Sequence, residues 1–177
     1  MGRGFAGERY SRVAITLHWI IALAVFANVV IAFFARGLMG MHKAIGVTVL
    51  VLTFARIAWR LGHQPPPLPG GMTRWESAAA KSVHWLFYLL LLAMPVTGWM
   101  MASGAVRRGL SWFGLFDIPY LPITPRAAGF GHDAHGIMGY LMIALIVLHI
   151  AAALRHHWIL RDATLVRMTP ILRRRGP

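Results

Sequence analysis

Four stretches of this chain stay apolar for about the thickness of a hydrocarbon core, and this limits the fold more than any other feature of the sequence. They run approximately over 13–34, 44–61, 83–101 and 136–154, where about 20 helical residues are needed to cross a core about 30 Å thick. Inside lipid every backbone N–H and C=O must find its partner within the chain, so such stretches are helices. The class expected is therefore all-α, an integral membrane four-helix bundle forming a single domain over 1–177. Composition agrees: 58% of residues are apolar and only 13% charged, where soluble chains carry about 25% charged residues.

The connections and the charges orient the bundle. Between the second and third stretches, the run Pro65, Pro66, Pro67, Pro69, Gly70 and Gly71 cannot continue a helix, since proline lacks the donor and glycine is entropically costly to order. The third connection, 103–131, carries Trp112, Phe113, Phe116 and Tyr120 among glycines and prolines, a composition suited to the membrane interface. Pro95 is expected to kink the third span. Arg3, Arg9 and Arg12, then Arg56, Arg60, Arg74 and Lys81, then Arg155, Arg161, Arg167, Arg173, Arg174 and Arg175 fall on one side, against Arg36, Lys43, Arg107, Arg108 and Arg126 on the other. The positive-inside rule then places both termini in the cytoplasm. The first apolar run exceeds the roughly 7–15 residues of a signal-peptide core, so it reads as a span. The net charge of +13 comes from residues flanking spans rather than lining a groove, so the lipid bilayer and not nucleic acid is the expected partner. The absence of cysteine removes disulfides, thiolate metal sites, iron–sulfur clusters and covalent attachment of c-type haem.

Nine histidines remain to be explained in a chain this apolar, because a polar side chain in lipid is expensive without a partner. His18 and His149 lie at matched depth, roughly 8 Å inside the cytoplasmic ends of the first and fourth spans. His42 and His135 open the second and fourth spans from the opposite side, level with each other. On the fourth span, His135 and His149 are fourteen positions apart, which at about 100° per residue falls roughly 40° short of four turns and brings both rings to nearly one face. Their separation along the axis is about 21 Å, which leaves room for two stacked haems in the core. Gly46 and Gly139 follow His42 and His135 by one turn and remove bulk where a porphyrin would lie against each helix. Zinc or copper transport would ask for carboxylate or thiolate companions, and only Asp133 is near. His84, near the cytoplasmic start of the third span, is about as deep as His18 and His149, so depth alone leaves the third ring in contention. His63, His132, His156 and His157 are read as solvated or interfacial.

The run Tyr10-Ser-Arg-Val-Ala-Ile-Thr-Leu-His18-Trp19, the pair Met41-His42, Arg56 with Trp59-Arg60 before the prolines, His84-Trp-Leu-Phe-Tyr88 leading to Met94-Pro-Val-Thr-Gly98, and His135-Gly-Ile-Met-Gly-Tyr140 with the later His149, His156 and His157 together resemble the bacterial cytochrome b561 family. The likeness covers nearly the whole chain and is closest to small stand-alone members acting as superoxide:ubiquinone oxidoreductases in the inner membrane. The resemblance implies two haem b groups, with His18 and His149 as iron ligands on the cytoplasmic side and His42 and His135 on the other, so that His84 is not a ligand. It implies superoxide as electron donor at the periplasmic face, where Arg36, Lys43, Arg107, Arg108 and Arg126 would attract an anion. Ubiquinone is the implied acceptor, with Lys81, His84 and His156 as candidate contacts for its carbonyls. Related modules also serve as haem-bearing anchors or electron conduits for dehydrogenases and hydrogenases, which leaves a redox partner protein as the other expectation.

Overall fold

A computed structural model describes residues 9–67, 73–104 and 109–169. Helix α1 (Arg12–Phe34) leads through a short 3-10 turn (Arg36–Leu38) into α2 (Met39–Gly62). Then come α3 (Arg74–Ala102), a hairpin of β1 (Ser111–Trp112) and β2 (Phe116–Asp117), α4 (Pro125–Trp158) and a short α5 (Thr164–Met168). The four long helices are each long and apolar enough to cross a membrane.

Two helices begin well before their apolar runs. α3 starts at Arg74 instead of near 83, because Thr73 and Glu76 form a reciprocal capping box, each side chain accepting from the other's backbone N–H. α4 starts at Pro125, not near 136. The Thr124 side chain accepts from Ala127 N at 3.2 Å, and Pro125 stands at the first helical position, where its missing N–H costs nothing. The expectation that 103–131 is all connection is thereby corrected, and His132 lies within α4 rather than at its end. Of the aromatic residues expected at the interface, Trp112 turns inward and donates to Thr48 Oγ1 at 3.1 Å, while Phe113 and Phe116 stay exposed. With Lys43 Nζ donating to the Gly109 carbonyl at 2.7 Å, this ties the connection across the head of α2. The hairpin turns through Phe113 and Gly114, both at positive φ.

α3 packs along α4, α1 along α2, and α2 against α3, but α1 and α4 share no comparable interface. A small core of Ile21, Val49, Leu90, Leu91, Met142 and Leu145 draws on all four helices. On α4 its members Met142 and Leu145 lie between His135 and His149. The outer surface is the reverse of a soluble protein's: Leu23, Phe26, Val51, Phe54, Leu89 and Val147 are all more than half exposed, as side chains facing lipid must be. Thr53 and Thr97 satisfy their hydroxyls on the preceding turn, through the carbonyls of Val49 and Ala93.

Candidate functional site

At the end of the bundle away from the termini, His42 in the first turns of α2 meets His135 of α4. Their ring centroids are 6.1 Å apart and their planes cross at 74°. His42 Nδ1 lies 3.2 Å from the Asn28 carbonyl, and His135 Nδ1 lies 2.9 Å from the Met94 carbonyl. A carbonyl can only accept, so in each ring Nδ1 carries the proton and Nε2 keeps a free lone pair. This is the arrangement found in metal-binding histidines, where the second nitrogen is tied to a carbonyl or carboxylate. His135 can approach α3 so closely because Gly98 has no side chain: a Cβ there would lie 3.2 Å from His135 Cε1 and 3.3 Å from its Nδ1. Beside His42, the Asn28 side-chain oxygen is buried without a partner, and Asn28 Nδ2 lies 3.8 Å from where a Cβ of Gly46 would stand.

At the end that holds the termini, His18 of α1 and His149 of α4 have centroids 6.3 Å apart with planes crossing at 64°. His18 Nδ1 is 3.0 Å from Arg56 Nη1. The third ring is here too: His84 lies 5.8 Å from His149, with its Nδ1 donating to the Ala80 carbonyl at 2.7 Å. Both rings therefore lie beside His149, and α3 packs more extensively along α4 than α1 does.

The spacing can be compared with what iron requires. An imidazole nitrogen binds a metal at about 2.0 Å, and the ring centroid stands about 1.1 Å behind it, so two imidazoles on opposite sides of one iron have centroids about 6.2 Å apart. The observed 6.3 Å and 6.1 Å lie close to it, and the 5.8 Å of His84 to His149 lies within a few tenths of an ångström of the same span. Among the described residues no three His, Cys, Asp or Glu converge as a metal site. His42 and His135 thus offer two unprotonated Nε2 nitrogens, and His18 with His149 would offer the same once the proton of His18 moved to the Nδ1 that now accepts from Arg56, a donor set that the porphyrin of haem b would complete. The residues present fit haem.

The other expected residues are placed as follows. A Cβ on Gly139 would meet nothing within 4 Å, so the helix surface one turn beyond His135 is open. Arg36 and Arg126 are exposed at the outer end, Lys43 is tied to the Gly109 carbonyl, and Arg107 and Arg108 lie outside the described residues. Arg3, Arg173, Arg174 and Arg175 of the charge count lie outside them too. Of the candidate quinone contacts, His84 adjoins His149, Lys81 is exposed on α3 near the terminus-bearing end, and His156 pairs with Asp162 at 2.5 Å. Partial burial opposes ionisation of Asp162, but hydrogen bonds from Thr164 and His156 outweigh it and hold the carboxyl below its ordinary range. A cavity at this end involves none of the three. It is lined instead by residues including Arg9, Arg56, Trp59, Arg60, His63 and Tyr88. Sequence reasoning gave no role to Gly98 or to the Asn28 and Met94 carbonyls, and used Arg56 only as a flanking charge and as part of the family motif. The motif around Met94, Gly98 and Arg56 was the available signal, but their contacts exist only once the helices pack.

Comparison with known proteins agrees with this geometry. A family model described as prokaryotic cytochrome b561 matches residues 9–170. The chain is 33% identical to cytochrome b561 homolog 2 of Escherichia coli strain K12, with 91% of each chain covered. It is 31% identical to the "Probable superoxide oxidase CybB" of Yersinia pestis, over 92% of this chain and 97% of that one. It is 30% identical to cytochrome b562 of Cereibacter sphaeroides, over 90% and 94% respectively. Family membership implies haem b binding and membrane electron transfer, and with the four spanning helices it makes the chain a multi-pass inner-membrane oxidoreductase. The chain belongs to the prokaryotic cytochrome b561 family.

Proposed function

We propose that this protein holds two haem b groups, one between His42 and His135 and one between His18 and His149, and uses them to oxidise superoxide at the outer face and reduce ubiquinone near the inner one. The observation that carries the reading is the pair of histidine bridges at opposite ends of α4, each with the span of a single iron. Haem held by two imidazoles supplies a one-electron carrier with no open position for oxygen. The chain's own part is orientation and insulation. The Asn28 and Met94 carbonyls fix the tautomer of the outer pair, and the apolar core between the two levels keeps water from the path.

The chemistry balances as two superoxide anions giving two electrons and leaving as dioxygen, while ubiquinone takes both electrons and two protons. At the outer face Arg36, Lys43 and Arg126, with Arg107 and Arg108, supply positive charge to attract the anion. At the inner face His84, against His149, has its Nδ1–H engaged by the Ala80 carbonyl, so it would meet the quinone through Nε2, accepting from a quinol hydroxyl. Lys81 and His156 are the further candidates, the latter with Nδ1 held by Asp162. The resemblance of the chain to a relative named as a probable superoxide oxidase supports the choice of donor. The test uses proteoliposomes loaded with ubiquinone and exposed to an external superoxide generator. Rapid haem reduction followed by ubiquinol, both abolished by superoxide dismutase, is the expected result. Haem that is reduced by dithionite but stays oxidised under a superoxide flux would overturn the choice of donor while leaving electron carriage intact.

A further inference from the structure

The cavity at the terminus-bearing end contains more positive charge than the structure neutralises. Arg9 is engaged by the carbonyls of Val166 and Thr169, but Arg56 and Arg60 both lie over the ring of Tyr88, at 5.8 and 5.9 Å, and neither takes part in an ion pair among the described residues. No Asp or Glu lines the cavity. Two guanidiniums on a membrane-spanning helix need an anion or the aqueous edge, since intramembrane cations are stable only when paired or hydrated. Arg56 is level with His18: each lies six residues inside its helix end, about 9 Å. It also touches the histidine itself, Nη1 to Nδ1 at 3.0 Å.

That contact cannot persist when His18 binds iron through Nε2. Nδ1 then carries the ring proton and becomes a donor, and a guanidinium has only donors, so Arg56 must find another acceptor within reach. We propose that the Arg56 and Arg60 guanidiniums, backed by Tyr88, form a carboxylate seat that takes the propionates of the haem between His18 and His149. The proposal rests on that ligation reading. The planar, permanently charged fork of arginine suits a carboxylate in this setting, and both guanidiniums lie by the ring of Tyr88 and line the same cavity with it. The same chemistry would accept the phosphate of an anionic phospholipid. The contact with His18 favours propionate, because the inner end of the seat lies against the candidate ligand rather than at the headgroup level.

The experiment uses the full-length chain in detergent, produced under haem limitation and carrying His42→Ala so that one site remains. It is titrated with iron protoporphyrin IX or with the dimethyl ester of the same haem, and the low-spin Soret band is read. With Arg56 and Arg60 intact, the free acid is expected to bind at least about tenfold more tightly than the ester, the size of one charge-assisted hydrogen bond. In the double variant Arg56→Met with Arg60→Met, that preference disappears through weaker binding of the acid, with the ester unchanged. Comparing the two preferences cancels the greater partition of the ester into micelles, and the arm without arginine substitutions stands if the variant does not fold. Equal binding of acid and ester to the intact seat overturns the proposal. If, with that parity, the arginine variant loses phosphatidylglycerol that the parent retains through purification, the seat belongs to lipid. A preparation that gives no low-spin band with either ligand refutes the His18 and His149 pairing itself, a result distinct from parity.

Discussion

Adding one methyl group at Gly98 should disable the outer site without unfolding the protein. A Cβ at this position falls 3.2 Å from His135 Cε1 and 3.3 Å from Nδ1, where unstrained contacts between such atoms need about 3.5–4.0 Å. In Gly98→Ala the imidazole must therefore withdraw by about 0.3–0.8 Å. The hydrogen bond from Nδ1 to the Met94 carbonyl, 2.9 Å in the native chain, then passes the ordinary limit of about 3.2 Å. Overpacking of this kind costs about 1–3 kcal/mol, offset in part by about 1 kcal/mol of helix propensity gained when alanine replaces glycine. Global stability should change little, while haem affinity at the outer site falls about 10–100-fold, the usual effect of losing the group that orients a metal-bound histidine. Haem content by pyridine haemochrome, read with the thermal midpoint of the same preparation, separates the two effects. Full occupancy and an unchanged outer-site reduction potential in Gly98→Ala would refute the claim that this glycine sets the position of His135.

Gly139→Ala makes the opposite test, because a methyl there meets nothing within 4 Å of the protein. It should stabilise the helix by about 1 kcal/mol yet lower haem retention if a porphyrin lies on that surface, and unchanged retention would remove Gly139 from the site. The histidine planes cross at 64° and 74°, so electron paramagnetic resonance of the oxidised protein should show the strongly anisotropic low-spin signals of crossed axial imidazoles; rhombic signals of parallel rings would contradict the geometry. Asp162 has its carboxyl held below the ordinary range by Thr164 and His156 against the effect of burial. A depressed carboxyl contributes stability that is complete above its unfolded value of about 3.9 and is lost as pH falls through the folded value. Amide protection at Thr164, whose N–H donates to Asp162 at 2.8 Å, should therefore hold from neutral pH to about 5 and disappear in stronger acid. Asp162→Asn should weaken it from neutral pH down to about 5, and equal protection in variant and parent over that range would show that the carboxylate does not hold this junction.

Much of the architecture was legible because a bilayer leaves a chain few choices. Apolar run length gave the four spans, and depth arithmetic along α4 brought His135 and His149 to one face before any partner was placed. The helix starts were misjudged because Thr73 with Glu76, and Thr124 with Pro125, lie in polar stretches that hydropathy ignores. The spacing of a capping box was present in the sequence at Thr73 and Glu76 and would have corrected α3. Depth could not distinguish His84 from His18, since both lie at one level, and both rings stand beside His149 in the structure; the choice of His18 rests on the family resemblance. The carbonyls that orient the outer histidines could not be read from sequence either. Every residue carries a carbonyl, and only the packing of α1 on α2 and of α3 on α4 decides that those of Asn28 and Met94 face a histidine.

The central claim is that two histidine pairs hold two haems at opposite depths, and the haem content of purified protein tests it most directly. Oxidised and dithionite-reduced visible spectra with a pyridine haemochrome assay should give two haems b per chain in the parent. They should give one in His42→Ala and one in His149→Ala, with the remaining haem low-spin in each, and no loss of iron-ligated haem in His84→Ala. A single haem in the parent, or a His42→Ala protein that retains both, would contradict the account.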